Sequence, residues 1–172
     1  MPIERPSYSD AQLNVLRECP KTITEPPRRD MRLDRGSWRN EMRLTSAGDE
    51  DFRVFMRRND KFPENFSIGL VYLPKDGSGE LPLLRCNGPH GVYNGVFEQN
   101  DPHYSPHLHT ATEETIASGK RPESHAEICA EYASYEEALQ YFLRSANILN
   151  AMEYFADIAQ GNLPFGEGEP IA

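Results

Sequence analysis

The chain has 172 residues, 38% hydrophobic and 26% charged, with a formal net charge of −9; this is the composition of a soluble globular protein large enough to bury a core as one domain. No apolar run approaches the roughly 20 residues that span a bilayer, and Met1-Pro-Ile-Glu-Arg-Pro lacks the charged-then-apolar order of a secretory signal, so the expected location is cytoplasmic, with no membrane partner. Cys19, Cys86 and Cys129 are odd in number and far apart, which argues for reduced thiols rather than a disulfide framework or a thiolate zinc site.

Charge is uneven along the chain. Residues 1–61 hold 13 Lys+Arg and 11 Asp+Glu, whereas residues 62–172 hold 5 and 16. An acidic body opposes non-specific nucleic-acid binding. The exception runs from Arg28 to Arg43, with six arginines and the only tryptophan, Trp38. Arginine with tryptophan can grip phosphate and stack on a base, but the interleaved Asp30, Asp34 and Glu41 favour a solvated, self-paired segment.

In chain order, Ser9 or Asp10 can cap a short helix through Ala11–Glu18, which Pro20 ends. Glu25-Pro26-Pro27 reads as an extended linker, so residues 1–30 form a helix and linker. Strands are expected around Met31, Leu33 and Arg43-Leu44, then at Phe52–Arg57 and at Phe66–Leu73, where Phe66, Ile68, Leu70 and Tyr72 alternate. Lys75-Asp76-Gly77-Ser78-Gly79 is a hairpin turn leading to Leu81–Cys86. Asn87-Gly88 and Asn94-Gly95 mark turns, and Pro106–Ala111 makes a further strand. Residues 31–112 therefore read as an antiparallel sheet. Ser134 and Glu137 have capping-box spacing. Ala138, Phe142, Ala146 and Leu149 follow at helical spacing, predicting a C-terminal helix over 134–160 and a loose tail over 161–172. The expected fold class is α+β: an antiparallel sheet of about four to six strands packed against a long C-terminal helix.

All five histidines lie between His90 and His125, and His103, His107 and His109 fall within seven residues. Imidazole titrates near neutrality and is the commonest metal ligand. In an extended segment His107 and His109 project to one face. Pro102 and Pro106 stiffen the approach from His103, and His90 sits in a loop after the preceding strand. Arg85, Asn87 and Tyr93 can complete a pocket.

Three chemistries fit. In the first, His107 and His109 act as acid and base on a phosphodiester, assisted by His90 and Arg85, with Asn87, Tyr93 and His103 binding substrate and no cofactor. In the second, a divalent transition metal is held by His107, His109 and Glu113. His107-Leu-His109-Thr-Ala-Thr-Glu113 resembles the first motif of the cupin family, His-x-His followed by Glu and then Gly (here Gly119). It departs from that family in lacking the leading glycine, and His125 comes too early for the second motif. In the third, the histidines bind a partner without reacting.

The order Phe52-Arg-Val-Phe-Met-Arg-Arg58-Asn, Asn65-Phe-Ser-Ile-Gly-Leu, Leu83-Leu-Arg85-Cys-Asn87-Gly, a loop histidine and then His107-x-His109 resembles a group of small bacterial proteins found with phage, mobile-element or toxin–antitoxin genes. The resemblance spans about residues 10–115. It implies a shared core around Arg85, Asn87, His90, His107 and His109, and brings no reaction with it. The leading expectation is a nucleic-acid-directed, RNase-like component of a defence or toxin–antitoxin system. The alternatives are an acidic antitoxin-like binding module and a metal-dependent enzyme. The expected partner is RNA or a protein, and the long helix offers a surface for a homodimer.

Overall fold

The computed structural model describes residues 6–90 and 102–156. Helix α1 (Asp10–Glu18) is capped by Ser9, whose hydroxyl accepts from the Gln12 amide while the Gln12 side chain accepts from the Ser9 amide. The strands are β1 (Lys21–Glu25), β2 (Arg32–Asp34), β3 (Ser37–Ser46), β4 (Asp51–Asn59), β5 (Phe66–Leu73) and β6 (Leu81–Asn87). Then come β7 (His107–Thr110), helix α2 (Glu113–Ala117), β8 (His125–Ile128) and helix α3 (Tyr135–Ser145). All pairings are antiparallel, in the order β1-β3-β4-β5-β6-β7-β8, with β2 also on β3.

The α+β class holds, but the predicted four to six strands and long helix do not. The sheet has eight strands. Four of them, β1, β2, β7 and β8, are only 3–5 residues long, and β1 and β8 are too short for alternation to show. Helix α3 has 11 residues rather than spanning 134–160. Asn147 takes a left-handed conformation (φ 56°). The Ile148 amide bonds to the Leu143 carbonyl and the Asn147 amide to that of Arg144, a Schellman stop with asparagine in the usual glycine place. Beyond it the chain pairs with β1: Lys21 N donates to Asn147 O and Leu149 N to Lys21 O. Leu149, at helical spacing in the sequence, is exposed, whereas Phe142 is fully buried.

Helices α1 and α3 bury Leu13, Leu16, Ala138, Leu139, Phe142 and Leu143 against one face of the sheet, on Leu44, Val54, Met56, Ile68, Leu70 and Cys86. That face is the core, and no such helix covers the opposite one among the described residues. Lys21 ties the two helix ends together. It is fully buried, and its ammonium donates to the carbonyls of Arg17 (2.8 Å), Cys19 (2.9 Å) and Ala146 (2.9 Å). Burial lowers its pKa. Replacing it with an apolar chain strands those carbonyls. Lys21→Met is therefore expected to lower stability by at least about 2 kcal/mol, read as a reduced urea midpoint with unchanged slope.

Candidate functional site

Residues opposite one another in an antiparallel pair share a face, and the registers carry the uncovered face across the sheet in rows. One row runs Arg39–Arg57–Ser67–Asn87–His107. The next runs Glu41–Phe55–Gly69–Arg85–His109. The two strand histidines thus stand side by side on the uncovered face, as the His-x-His spacing predicts, with Asn87 and Arg85 directly opposite them.

His90 and His103 join them from the loops. The His90 amide bonds to the His103 carbonyl (2.9 Å), which draws the exit of β6 against the short 3-10 turn Pro102–Tyr104. Ring centroids lie 4.9 Å apart for His90–His103 and for His107–His109, and 5.0 Å for His90–His107 and His103–His107. One ligand nitrogen from each of the four imidazoles lies within 4.8 Å of every other. Glu113, the carboxylate expected to complete a metal site, lies outside this group. It opens α2 as an exposed residue, its amide held by Asp10 Oδ1. Tyr93 lies outside the described residues.

Hydrogen bonds fix the orientation of the two buried rings. Nδ1 of His107 lies 2.8 Å from the Ser105 carbonyl oxygen, and Nδ1 of His109 lies 3.0 Å from that of Glu123. A carbonyl oxygen only accepts, so Nδ1 carries the proton in both rings and each Nε2 presents a lone pair. The Asn87 amide donates to Nε2 of His107 across a long 3.5 Å. Its own oxygen accepts from the Ser67 hydroxyl at 2.7 Å, which sets which end of the amide faces the ring. Nε2 of His109 is buried and has no hydrogen-bond partner.

Burial lowers the pKa of His107 to about 4 and that of His109 to about 3, with neighbouring imidazoles and Arg85 adding positive potential. Both rings are neutral at pH 7. Arg85, largely buried, has its own pKa lowered by desolvation, and its Nε is unpartnered. Among the described residues it faces Glu123, 3.8 Å away, whose carboxylate is only 4% exposed and also meets Arg121 at 2.9 Å.

Sequence reasoning missed Ser67, Ser105, Glu123 and Tyr132. The hairpin held a signal for Ser67: a turn centred on Gly77 places residue 67 opposite residue 87. Ser105 and Glu123 contribute backbone carbonyls, which any residue could supply. Tyr132 works from the core side, its hydroxyl donating to the carbonyls of His107 (2.7 Å) and Asn87 (3.0 Å) and clamping β6 to β7.

The histidine end opens into a cleft of about 1140 Å³, lined in part by His90, His103, His109, Arg57, Arg85 and Tyr104. No protein-family model matches the chain, and no curated protein or solved structure is significantly similar to it. No helix among the described residues is long and apolar enough to cross a membrane.

Two consequences can be measured. A Cβ on Gly88 would overlap the Glu64 carbonyl oxygen and the Phe66 ring, so Gly88→Ala must push back the turn that leads to His90. A loss of about 1–3 kcal/mol is expected, measured by thermal or urea unfolding. The second concerns acid. In the metal-free protein the folded rings refuse protons that the unfolded chain accepts below its ordinary pKa of 6.5. Stability is therefore fully present above pH 6.5 and is lost as pH falls toward about 4 and 3, each ring steepening the decline by up to about 1.4 kcal/mol per pH unit. A variant with both rings replaced by asparagine is expected to show a flatter stability profile between pH 6.5 and 5.

Proposed function

We propose that the protein is a transition-metal enzyme whose His90, His103, His107 and His109 hold one divalent ion at the end of the open cleft. The observation that carries this reading is the convergence of four ring nitrogens, with the two buried rings locked through Nδ1 so that each Nε2 carries a lone pair, unpartnered in His109 and met by the long Asn87 contact in His107. Donating Nδ1–H to a backbone carbonyl is the usual outer support of a metal-bound histidine. An unpartnered buried nitrogen such as His109 Nε2 costs about 1–3 kcal/mol unless something binds it. Tetrahedral zinc with Zn–N of about 2.0–2.1 Å needs nitrogens about 3.3 Å apart. The four nitrogens, at most 4.8 Å apart, need a small inward movement, which His90 and His103 can supply from their loops.

A donor set of imidazoles suits zinc, iron, copper or nickel rather than magnesium or calcium. Held by three of the rings, or by all four at a coordination number above four, such an ion would keep a position open and would act there as a Lewis acid or as the source of a hydroxide nucleophile. The chain's own groups complete the site. Arg85, paired across the strands with His109, can neutralise an anionic oxygen beside the ion. The Asn87 amide, held by Ser67, can orient one.

The metal-free alternative, His107 and His109 as acid and base on RNA, is less well supported. A general acid must carry a proton on Nε2 as well, and burial lowers the pKa of these rings to about 4 and 3, so neither holds that second proton near neutral pH.

Metal analysis and calorimetric titration test the proposal. About one equivalent of zinc, iron, cobalt, nickel or copper per chain is expected. A cobalt-loaded sample should show visible bands of a nitrogen-rich site that disappear in His109→Ala. Folded protein that binds none of these ions stoichiometrically, or binds them equally after His107→Ala and His109→Ala, would remove the metal centre.

A further inference from the structure

The arginine-rich segment finds its place on the same face as the histidines. Strand β3 sends Arg39, Glu41 and Arg43 to the uncovered side, and β4 sends Arg53, Phe55 and Arg57. A second hollow of about 820 Å³ lies there, and it shares Arg39, Phe55 and Arg57 with the histidine cleft. The two are one continuous groove. Among the described residues its lining holds seven arginines against three carboxylates, on a chain whose net charge is −9.

The ion pairs in the groove leave its positive character standing. Arg39 meets Asp34 and Arg53 meets Glu41, each at 3.8 Å between partly exposed groups; such pairs are weak and readily exchanged. Two pairs among the described residues are close, Arg53–Glu80 at 2.8 Å and Arg121–Glu123 at 2.9 Å, and Arg85 faces the same Glu123 carboxylate at 3.8 Å. Arg57 contacts the Asn65 side chain at 3.1 Å. In the middle of the floor Phe55 lies over Gly69, where an added Cβ would strike the ring. With no side chain at Gly69 the ring packs close to the sheet, and the Arg53 guanidinium lies over it, 6.0 Å from its centroid, a position a stacked base would share.

We infer that this groove binds single-stranded nucleic acid, its phosphates on Arg39, Arg57 and Arg85 and a base stacked on Phe55, and delivers the strand to the histidine site. Arginines one strand apart follow one another at about 4.8 Å, so Arg39 and His107, four strands apart, are separated by about 19 Å, room for a few nucleotides. A positive track with an aromatic platform is the general arrangement for binding single strands without sequence preference. An acidic peptide would use the arginines but has no flat ring to place on Phe55, so the nucleic acid is favoured. The negative charge elsewhere on the protein confines such a ligand to this face. The inference names the substrate class of the proposed metal enzyme and rests on that reading only for the reaction at the histidines. Binding in the groove needs no metal.

Fluorescence anisotropy with labelled ten-nucleotide oligo-U and oligo-dT tests it, on the full chain with and without chelator. Binding of either strand at 50 mM salt is expected, weakening with salt with a log–log slope near about −2, as three phosphate contacts require. Phe55→Ala should weaken it about 5- to 100-fold, Arg57→Ala should weaken it and flatten the salt slope, and Arg144→Ala on the far face should leave it unchanged. Oligo-U alone binding would narrow the ligand to RNA. The inference falls if neither strand binds, if a blunt duplex or poly-glutamate binds as tightly, or if the Phe55 and Arg57 variants bind like the parent while circular dichroism shows them folded. Loss of stoichiometric metal with intact strand binding would overturn the metal centre and leave the groove; the reverse would do the opposite.

Discussion

Everything at this site depends on the pairing of Arg85 with His109 and of Asn87 with His107. A slip of one residue between β6 and β7 would turn both imidazoles into the apolar core and bring Leu108 out. Two contacts hold the register from the core side and from the strand exit. Tyr132 spends its hydroxyl on the carbonyls of both strands at the level of His107. Gly88 lets the chain leave β6 in close contact with Glu64 and Phe66, its amide bonded to the Phe66 carbonyl at 3.0 Å. The core packing and the polar face are thus set by one alternation: Leu84 and Cys86 inward, Arg85 and Asn87 outward.

Electrostatics then decides what four clustered imidazoles can be. With centroids about 5 Å apart and a guanidinium alongside, protonating several together would place like charges in a poorly hydrated space. The fold resolves this by holding the strand pair neutral and giving each Nδ1–H a carbonyl. Glu123 serves twice: its backbone oxygen accepts from His109, and its buried carboxylate balances Arg85 and Arg121. Neutral rings, a fixed tautomer and a nearby positive group are conditions for receiving a cation together with an anionic ligand. They do not favour donating protons.

Much of this was legible in the sequence, and the failures have physical causes. Strand β4 showed because it is long and half-buried, so apolar and polar residues alternate; β5 and β6 showed because apolar residues recur along them and a hairpin turn joins them. The site showed because His-x-His has the period of a strand. Strand β8 did not show, because it is exposed along most of its length and has no apolar period. The C-terminal helix was overextended because Leu149, Met152 and Phe155 continue the spacing of Ala138 and Phe142. The residue that stops it, Asn147, has no strong composition signal, and its left-handed turn is supported by pairing with β1 on a distant part of the chain. Glu113 was chosen on sequence spacing from His109. His90 and His103 reach the same point through loop contacts that spacing cannot encode.

The arginine segment shows why a charge pattern read in one dimension misleads. Along the chain, Asp34 and Glu41 alternate with arginines and suggest self-neutralisation, and in the fold they do meet, at distances near 3.8 Å. The strand period sorts the charges further. Arg57 and Arg58 are neighbours in sequence yet point to opposite faces. Arg58 stacks at 5.4 Å on Tyr135 of α3 and pairs with Glu136, becoming part of the scaffold, whereas Arg57 faces the groove. An eight-stranded sheet whose described helices α1 and α3 pack on one side must keep its other face polar, and lysine, serine or threonine would serve that need. Arginines aligned with a histidine cluster, around an aromatic ring laid over a glycine, are a narrower solution than solubility requires, and that excess of order is the argument that this face meets a ligand.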